Sequence, residues 1–422
     1  MLIEATTQTT EGHVYILDGN DDLNIAAGVI IDSFGTDAVT TWMGQHTVTV
    51  SGEIRSHDDG INTIGTVDAH TIIIQVGGKI TSGYASALPY IVDSDGVILD
   101  GIGSTLVNHG TIISHGSAVH LFVHDGGTTT VTNTGLMSAT KYGVWNQYGS
   151  GTLNFVNSGT VESPLLSFLG GNWVDNVTNS GLMKGNVDLG NGDDSYVGTG
   201  GRVMGQILGG GGNDRFVVGN YADSIDGGDG VDMLDFSAKT SSVTISLGNQ
   251  ASNISTLLKG DVFVNVEGII GSIYGDRVTG DDLDNILDGR AGNDKLYGGL
   301  GNDTLMGGLG TDTLTGGAGG DHFVFTSAAG PRDYILDFNA AEDILSIAGS
   351  AFGYGTYVGA LNPLDLAIGT IAKALDATDH FLFRTTDATL WFDADANGAG
   401  KAVMIADLNN DAQISAINIW LI

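Results

Sequence analysis

Two stretches of this chain repeat every nine residues, and that period restricts the fold more than any other feature. From Gly209 it reads GGGGNDRFV, VGNYADSID, GGDGVDMLD. From Gly271 it reads GSIYGDRVT, GDDLDNILD, GRAGNDKLY, GGLGNDTLM, GGLGTDTLT, GGAGGDHFV, ending at Val324. The eighth position is apolar in every unit: Phe216, Ile225, Leu234, Val278, Leu287, Leu296, Leu305, Leu314 and Phe323. A flexible linker has no reason to place an apolar residue at each ninth position. The tail of each unit alternates like a three-residue strand with one buried side chain. Such a strand cannot bury that side chain alone, so successive turns must stack into a solenoid. Stacking brings the sixth positions into register, and these are Asp in every unit except Asn285. Carboxylates stacked in this way repel unless a cation lies between them.

Composition sharpens the point. Of the 49 acidic residues only six are Glu, leaving 43 Asp, beside 67 Gly and a net charge of −34. Short carboxylates in glycine-rich turns are the ligand type of hard, oxygen-seeking cations. Fifteen Lys plus Arg provide no basic stripe for nucleic acid, and an anionic membrane would repel such a surface. No run of 18 apolar residues occurs, so membrane spanning is not expected. With no cysteine, disulfides and thiolate metal sites are excluded. Glycines at the first, second and fourth positions are expected to permit positive φ and turn carbonyls inward.

These units resemble the RTX family, whose G-G-x-G-x-D-x-U-x nonapeptides form a calcium-binding parallel β-roll. The resemblance implies several Ca2+ ions, each shared by loops two units apart, since one coil takes two nonapeptides. Carried over, Asp214 faces Asp232, Asp276 faces Asp294, Asp294 faces Asp312, and Asp303 faces Asp321. Asp194 and Asp223 join this ligand set. The loop carbonyls come from Gly210, Gly212, Gly228, Gly230, Gly292, Gly299, Gly301, Gly308, Gly310, Gly317 and Gly319. The match is looser in VGNYADSID, GSIYGDRVT and GDDLDNILD, where glycines are missing. Between the arrays, FSAKTSSVTISL and GDVFVNVEGIIGS alternate like strands that interrupt the roll and could extend or cap it, but the plainer expectation for them is a spacer.

The amino-terminal half repeats more loosely. Segments such as VSGEI, VGGKI, VTNTGLM, FVNSGTV and VTNSGLM place Gly52, Gly78, Gly110, Gly135, Gly159 and Gly181 at steps of 22 to 32 residues. This half resembles the right-handed parallel β-helices of surface and polysaccharide-acting proteins, each coil giving two or three short strands. Asn108, Asn133, Asn157 and Asn179 are expected to form an internal side-chain ladder. Residues 181–197 superpose on 201–217 at a step of 20, matching Met183 with Val203, Asp194 with Asp214 and Tyr196 with Phe216. The helix is therefore expected to pass into the roll without a linker.

After Val324 the period ends. The elements Asp333 to Phe338 and Phe392 to Gly400, and the apolar end ISAINIWLI, resemble the terminal region of RTX proteins. That implies type I secretion with an uncleaved carboxy-terminal signal, although Asn418 stands where the family often has an acid. Asp393, Asp395, Asn397 and Gly398 imitate half of an EF-hand loop, but Met404 at the twelfth position cannot chelate, so a β-turn is expected. The expected architecture is all-β: a β-helix domain over 1–200, a roll over 201–325 with inserted strands at 236–270, and a capping and secretion region over 326–422.

Signatures of zinc proteases and serine hydrolases are absent. Eight of ten His fall between 13 and 124, and His57-Asp58-Asp59 with the cluster His115, His120 and His124 are the candidates for acid–base chemistry. The plainer expectation for these histidines is exposed turn residues. Arg55, Lys79, Lys141 and Lys184 are the only fixed cations up to residue 185, too few for an acidic sugar unless they converge. The expected function is a secreted, calcium-loaded structural or adhesive protein of the cell surface or matrix that associates with itself or with surface polysaccharide. A polysaccharide lyase or epimerase is the alternative, and a non-catalytic carbohydrate-binding module lies between them.

Overall fold

A computed structural model of the protein describes residues 1–422 apart from 11, 13, 66–67, 84–93, 125, 148–149, 249–259, 329–331, 397, 399 and 410–411. The structure is all-β, with long parallel ladders, and divides into two compact units: 1–232 with 261–265, and 233–260 with 266–422. Among the described residues no helix is long and apolar enough to cross a membrane.

In the first unit each coil contributes up to three strands, one to each of three parallel ladders. The inward residues form three columns. One runs Leu23, Val48, Ile72, Leu106, Val131, Phe155, Val177, Tyr196, Phe216, each paired with the next. The second runs Ile31, Ile54, Ile80, Ile112, Met137, Val161, Met183, Val203. The third runs Val39, Ile61, Val97, Val119, Val144, Phe168, Val187, Ile207, Ile225, Phe263. Every one of these side chains is buried. Full burial of such a residue contributes about 1.5–3 kcal/mol, and β-branched residues suit a column in which each side chain stacks on its like.

The second ladder ends at the two-residue strand Arg202–Val203, after which the coil keeps only two strands. The coil tightens toward this point: the step along the first column falls from 24 residues (Val131 to Phe155) to 19 (Val177 to Tyr196) and 20 (Tyr196 to Phe216), while the strand of the second ladder shrinks to two residues. The pairings Met183–Val203 and Tyr196–Phe216 are those the 20-residue superposition anticipated.

In the second unit the roll has two columns, Leu234, Ile269, Leu287, Leu305, Phe323, Leu345 and Ile245, Val278, Leu296, Leu314, Ile335. Alternate nonapeptides supply opposite sheets, so one coil is 18 residues. The segments between the arrays are not a spacer but coil strands: Thr244–Ser246 and Gly268–Ile270 in the second unit, and Val262–Val264 in the first, each pair in parallel with a repeat strand. Beyond the roll, strands Phe381–Arg384, Thr389–Phe392 and Val403–Asp407 turn antiparallel, and Ile419–Leu421 pairs with Ile344–Ile347. At the EF-hand-like segment Asp395 accepts the N–H of Gly400 at 2.8 Å, while Asn397 lies outside the described residues.

Candidate calcium-binding turns

The sixth-position aspartates are all buried, between 0 and 6% exposed. The strand places the eighth residue in the core, and the sixth, two residues earlier, faces the same side at the mouth of the turn. Each then meets its counterpart one coil away. The N–H of Asp214 donates to Asp232 Oδ1 at 2.8 Å, that of Asp276 to Asp294 at 2.6 Å, that of Asp294 to Asp312 at 2.8 Å, and that of Asp303 to Asp321 at 2.9 Å. These are the four pairs anticipated from the repeat. Asp194 joins them through its N–H to Asp214 Oδ1 at 2.8 Å.

One oxygen of each carboxylate is thus used by the neighbouring coil. The other, Oδ2, is buried in Asp194, Asp214, Asp294 and Asp303 and accepts no hydrogen bond. It turns back over its own loop, where a Cβ on Gly209, Gly289, Gly298 or Gly316 would lie 2.1 to 2.5 Å from the Oδ2 of the aspartate five residues on. The first glycine is therefore required for space and does not have a positive φ, contrary to the expectation from sequence. At the fourth position the expectation holds: Gly310 has φ +144°, and a Cβ there would lie 1.5 Å from the carbonyl oxygen of Gly292. Backbone oxygens and carboxylates so converge in the turns.

A buried carboxylate without a countercharge resists ionisation. Burial is the largest effect on these groups, opposed by the hydrogen bond to the next coil and reinforced by stacked carboxylates. It pushes Asp194 and Asp294 up to about 8, Asp303 to about 7 and Asp214 to about 6. Asp276, Asp312 and Asp321 are raised for the same leading reason. An orphaned anionic oxygen in a cradle of oxygen donors fits a hard divalent cation, and with neither sulfur nor imidazole in the set it does not fit zinc.

Other turns are built differently. Asn285 spends its side-chain oxygen on the N–H of Asp281 at 2.7 Å, leaving no such vacancy, in keeping with the looser match there. Asp223 donates its N–H to Asp261 at 3.0 Å, so the inserted segment supplies its partner. Four ladder members escaped the sequence reading: Asp175, Asp261, Asp333 and Asp343. Asp312 donates to Asp333 and Asp321 to Asp343, each at 3.0 Å, and Asp175 to Asp194 at 2.7 Å. Each keeps the D-x-apolar end of the nonapeptide after its glycines have gone (DNV, DVF, DYI, DIL), and that triplet was the available signal. Asp175 closes the upstream end, its two oxygens taken by Asn146 Nδ2 at 2.9 Å and Gly171 N–H at 2.7 Å.

The candidates in the first unit are arranged otherwise. Oxygens of Asp37, Asp58 and Asp59 lie within 4.8 Å of one another, and burial pushes Asp59 up to about 8. His57 packs on Phe34 with centroids 5.3 Å apart. Of the cluster His115, His120 and His124 only His115 is exposed; His120 is buried and bonded to Asp95, so the exposed-turn expectation fails for it. Arg55 and Lys79 converge on Glu53 at 2.7 and 3.1 Å, and Lys184 lies 2.8 Å from Glu162. The hydrogen bonds to these cations hold both glutamates below the ordinary carboxylate range.

Parallel coils and buried acidic turns together define a β-solenoid repeat suited to hard cations. A family model described as the RTX calcium-binding nonapeptide repeat matches four times, at 208–238, 270–305, 279–314 and 301–324. The chain is accordingly a calcium-binding protein with RTX repeats, and the repeats bind several Ca2+ ions. No curated protein matches the chain.

Proposed function

We propose that this is a secreted structural or adhesive protein of the bacterial exterior, a surface-layer, matrix or filament subunit, that folds its roll on meeting extracellular calcium. RTX repeats are typical of secreted bacterial proteins. The observation that carries the reading is the set of buried Oδ2 atoms without a hydrogen bond at Asp194, Asp214, Asp294 and Asp303. Each leaves a desolvated acceptor uncompensated, a cost of about 1–3 kcal/mol or more for a charged group, which calcium removes. The proposed ligands are these carboxylates with Asp232, Asp276, Asp312 and Asp321, completed by carbonyls of the glycine turns. Calcium supplies the positive charge that lets the stacked acids coexist; the chain supplies the register.

At the low calcium of a cytosol the roll stays open, suited to passage through a type I export channel, and outside the cell binding and folding are one equilibrium. The carboxy-terminal region serves as cap and secretion signal, and residues 1–200 present regular faces for self-association or glycan contact. The lyase reading is weakened by Arg55, Lys79 and Lys184, whose charges are spent on Glu53 and Glu162 and not offered to an acidic sugar. Circular dichroism and electron microscopy of the purified chain, first with chelator and then with calcium, test the proposal: β signal and assembly both rise on calcium addition. A spectrum and particle size indifferent to chelator sink it.

A further inference from the structure

The first ladder of the first unit turns a face outward that the calcium turns do not use. Along its strands the inward residues alternate with two outward columns. One column runs Thr47, Thr71, Thr105, Thr130, Asn154, Asn176, each paired with the next. The other, two residues further along each strand, runs Thr49, Ile73, Val107, Thr132, Val156, Thr178 in the same register and is β-branched at every coil. None of the twelve is buried. Among the described residues the threonine hydroxyls of both columns have no hydrogen-bond partner in the protein, while Asn176 donates to Asn154 at 3.0 Å. Not one of the twelve carries a charge or an aromatic ring, on a chain of net charge −34. Charge bounds the face instead. Asp22, whose carboxylate accepts the Thr47 N–H at 2.7 Å, precedes it, and Arg215 follows, paired with Ser195. Asp68, in the turn before Thr71, is held by the Gly44 N–H at 2.8 Å.

We propose that this face binds crystalline water, the surface of ice. The proposal takes its extracellular setting from the function proposed above and does not depend on which residues ligate calcium. Successive coils repeat at ~4.8 Å and the two columns stand ~7 Å apart, so six coils give a grid ~24 Å long, with both spacings close to oxygen repeats in ordinary ice. A hydroxyl donates and accepts, so it enters a water lattice in either sense. Thr, Val and Ile are stiff at χ1, and groups held in place before binding lose little freedom when a rigid lattice meets them. The buried ladder from Asn108 to Asn179 at the ends of the same strands fixes their register, and ladders of this kind keep a sheet from twisting away from a plane. The composition disfavours other partners. Protein interfaces draw on Tyr, Trp, Met and Arg, and sugar rings seat on aromatic faces; the face has none of these.

The test is the growth of a seeded ice crystal in a solution of the full chain with calcium, read as thermal hysteresis and crystal shape. The chain is expected to facet the crystal and to open a gap between melting and growth. Thr130→Tyr, which keeps strand propensity but raises a ring above the grid, should lose most of that gap, and Thr130→Val, which keeps the shape without the hydroxyl, should lose less. Thr160→Tyr, outward on the second ladder, should retain it, and circular dichroism should be the same for all three. Ordinary ice growth in the presence of the folded chain, or hysteresis that survives Thr130→Tyr, would overturn the proposal. So would co-sedimentation with microcrystalline cellulose without any effect on ice, or a dimer that Thr130→Tyr dissociates. A chain that shapes ice but is indifferent to calcium would remove the export reading and leave this face standing.

Discussion

Both halves of the molecule stack one polar residue per coil in the dark interior of a solenoid, yet with opposite outcomes. In the helix the residue is Asn: Asn108 donates to Asn133 at 2.8 Å, Asn133 to Asn157 at 2.8 Å, Asn157 to Asn179 at 2.9 Å. An amide is donor and acceptor at once, so the ladder closes on itself. In the roll the residue is Asp, an acceptor only, and in Asp294 and Asp303, after one oxygen has taken a backbone N–H, the other has no donor left to find. A single heavy-atom difference, N for O, separates a ladder that is complete in the polypeptide from one that needs an ion. On the reading proposed above, the helix needs no ion and the roll is conditional on one.

Removing calcium should break this symmetry most visibly. In excess chelator, amide hydrogen exchange is expected to lose protection across 209–235 and 271–324 while the coils bearing Asn108 to Asn179 keep theirs. Equal loss in both halves would mean that the Asn ladder does not stand by itself. Acidification of the chelated protein is the next largest effect. The carboxyls of Asp194, Asp294, Asp303 and Asp214 lie above their ordinary value of 3.8, at about 8, 8, 7 and 6. A raised folded value means the folded state holds its proton more tightly, so this stabilisation is fully present below about pH 4 and is lost as pH rises through 6 to 8. The ion-free roll should therefore gain order as pH falls, whereas in calcium, where protons compete for the same oxygens, acid should cost stability. Circular dichroism along the two pH series checks the opposed slopes.

A substitution that makes one half like the other is sharper still. Asp294 accepts from Asp276 and donates to Asp312, so it serves two turn pairs. Asp294→Asn keeps the shape and supplies the missing donor while removing the charge. In chelator it should stabilise the roll by ~1–3 kcal/mol, the cost of the orphaned acceptor, and in calcium it should weaken ion binding. Parallel chemical denaturation in the two conditions measures the change of sign; destabilisation in both would show that Oδ2 is not the seat of the ion.

Much of this was legible before the structure. The period of nine located every eighth-position core residue, and the doubling to 18 located the pairs Asp214–Asp232 and Asp303–Asp321, because both follow from stacking identical units. The Asn ladder was legible for the same reason. What escaped were residues whose neighbours had drifted: Asp333 and Asp343 keep their place on the ladder after the glycines are replaced, since the ladder bond needs only the aspartate and its partner's N–H. The role of Gly316 was misread because a sequence reveals that a side chain is missing, not whether φ or a neighbouring carboxylate forbids it. The burial of His120 escaped because its partners, Asp95 and Gln147, lie 25 and 27 residues away, and coils of unequal length hide such a register.

The smallest predicted effect probes the coil where the two ladders meet. Residues 189–197 carry Asp194, the first acid with an orphaned oxygen, and Tyr196, whose buried hydroxyl accepts from Asn179 at 3.3 Å and so ends the amide ladder. Tyr196→Phe keeps the ring in the core column and removes only that acceptor, leaving the Asn179 amide one bond short. The loss should be ~1 kcal/mol, and it should be the same with calcium as with chelator, because the bond belongs to the amide ladder and not to the acidic one. Hydrogen exchange of the Thr160–Asp188 coils in both conditions resolves it. A loss confined to the calcium state would mean that order in the Asp ladder is transmitted to the Asn ladder through this one coil, and the two halves would then be a single cooperative system in place of a finished one joined to a conditional one.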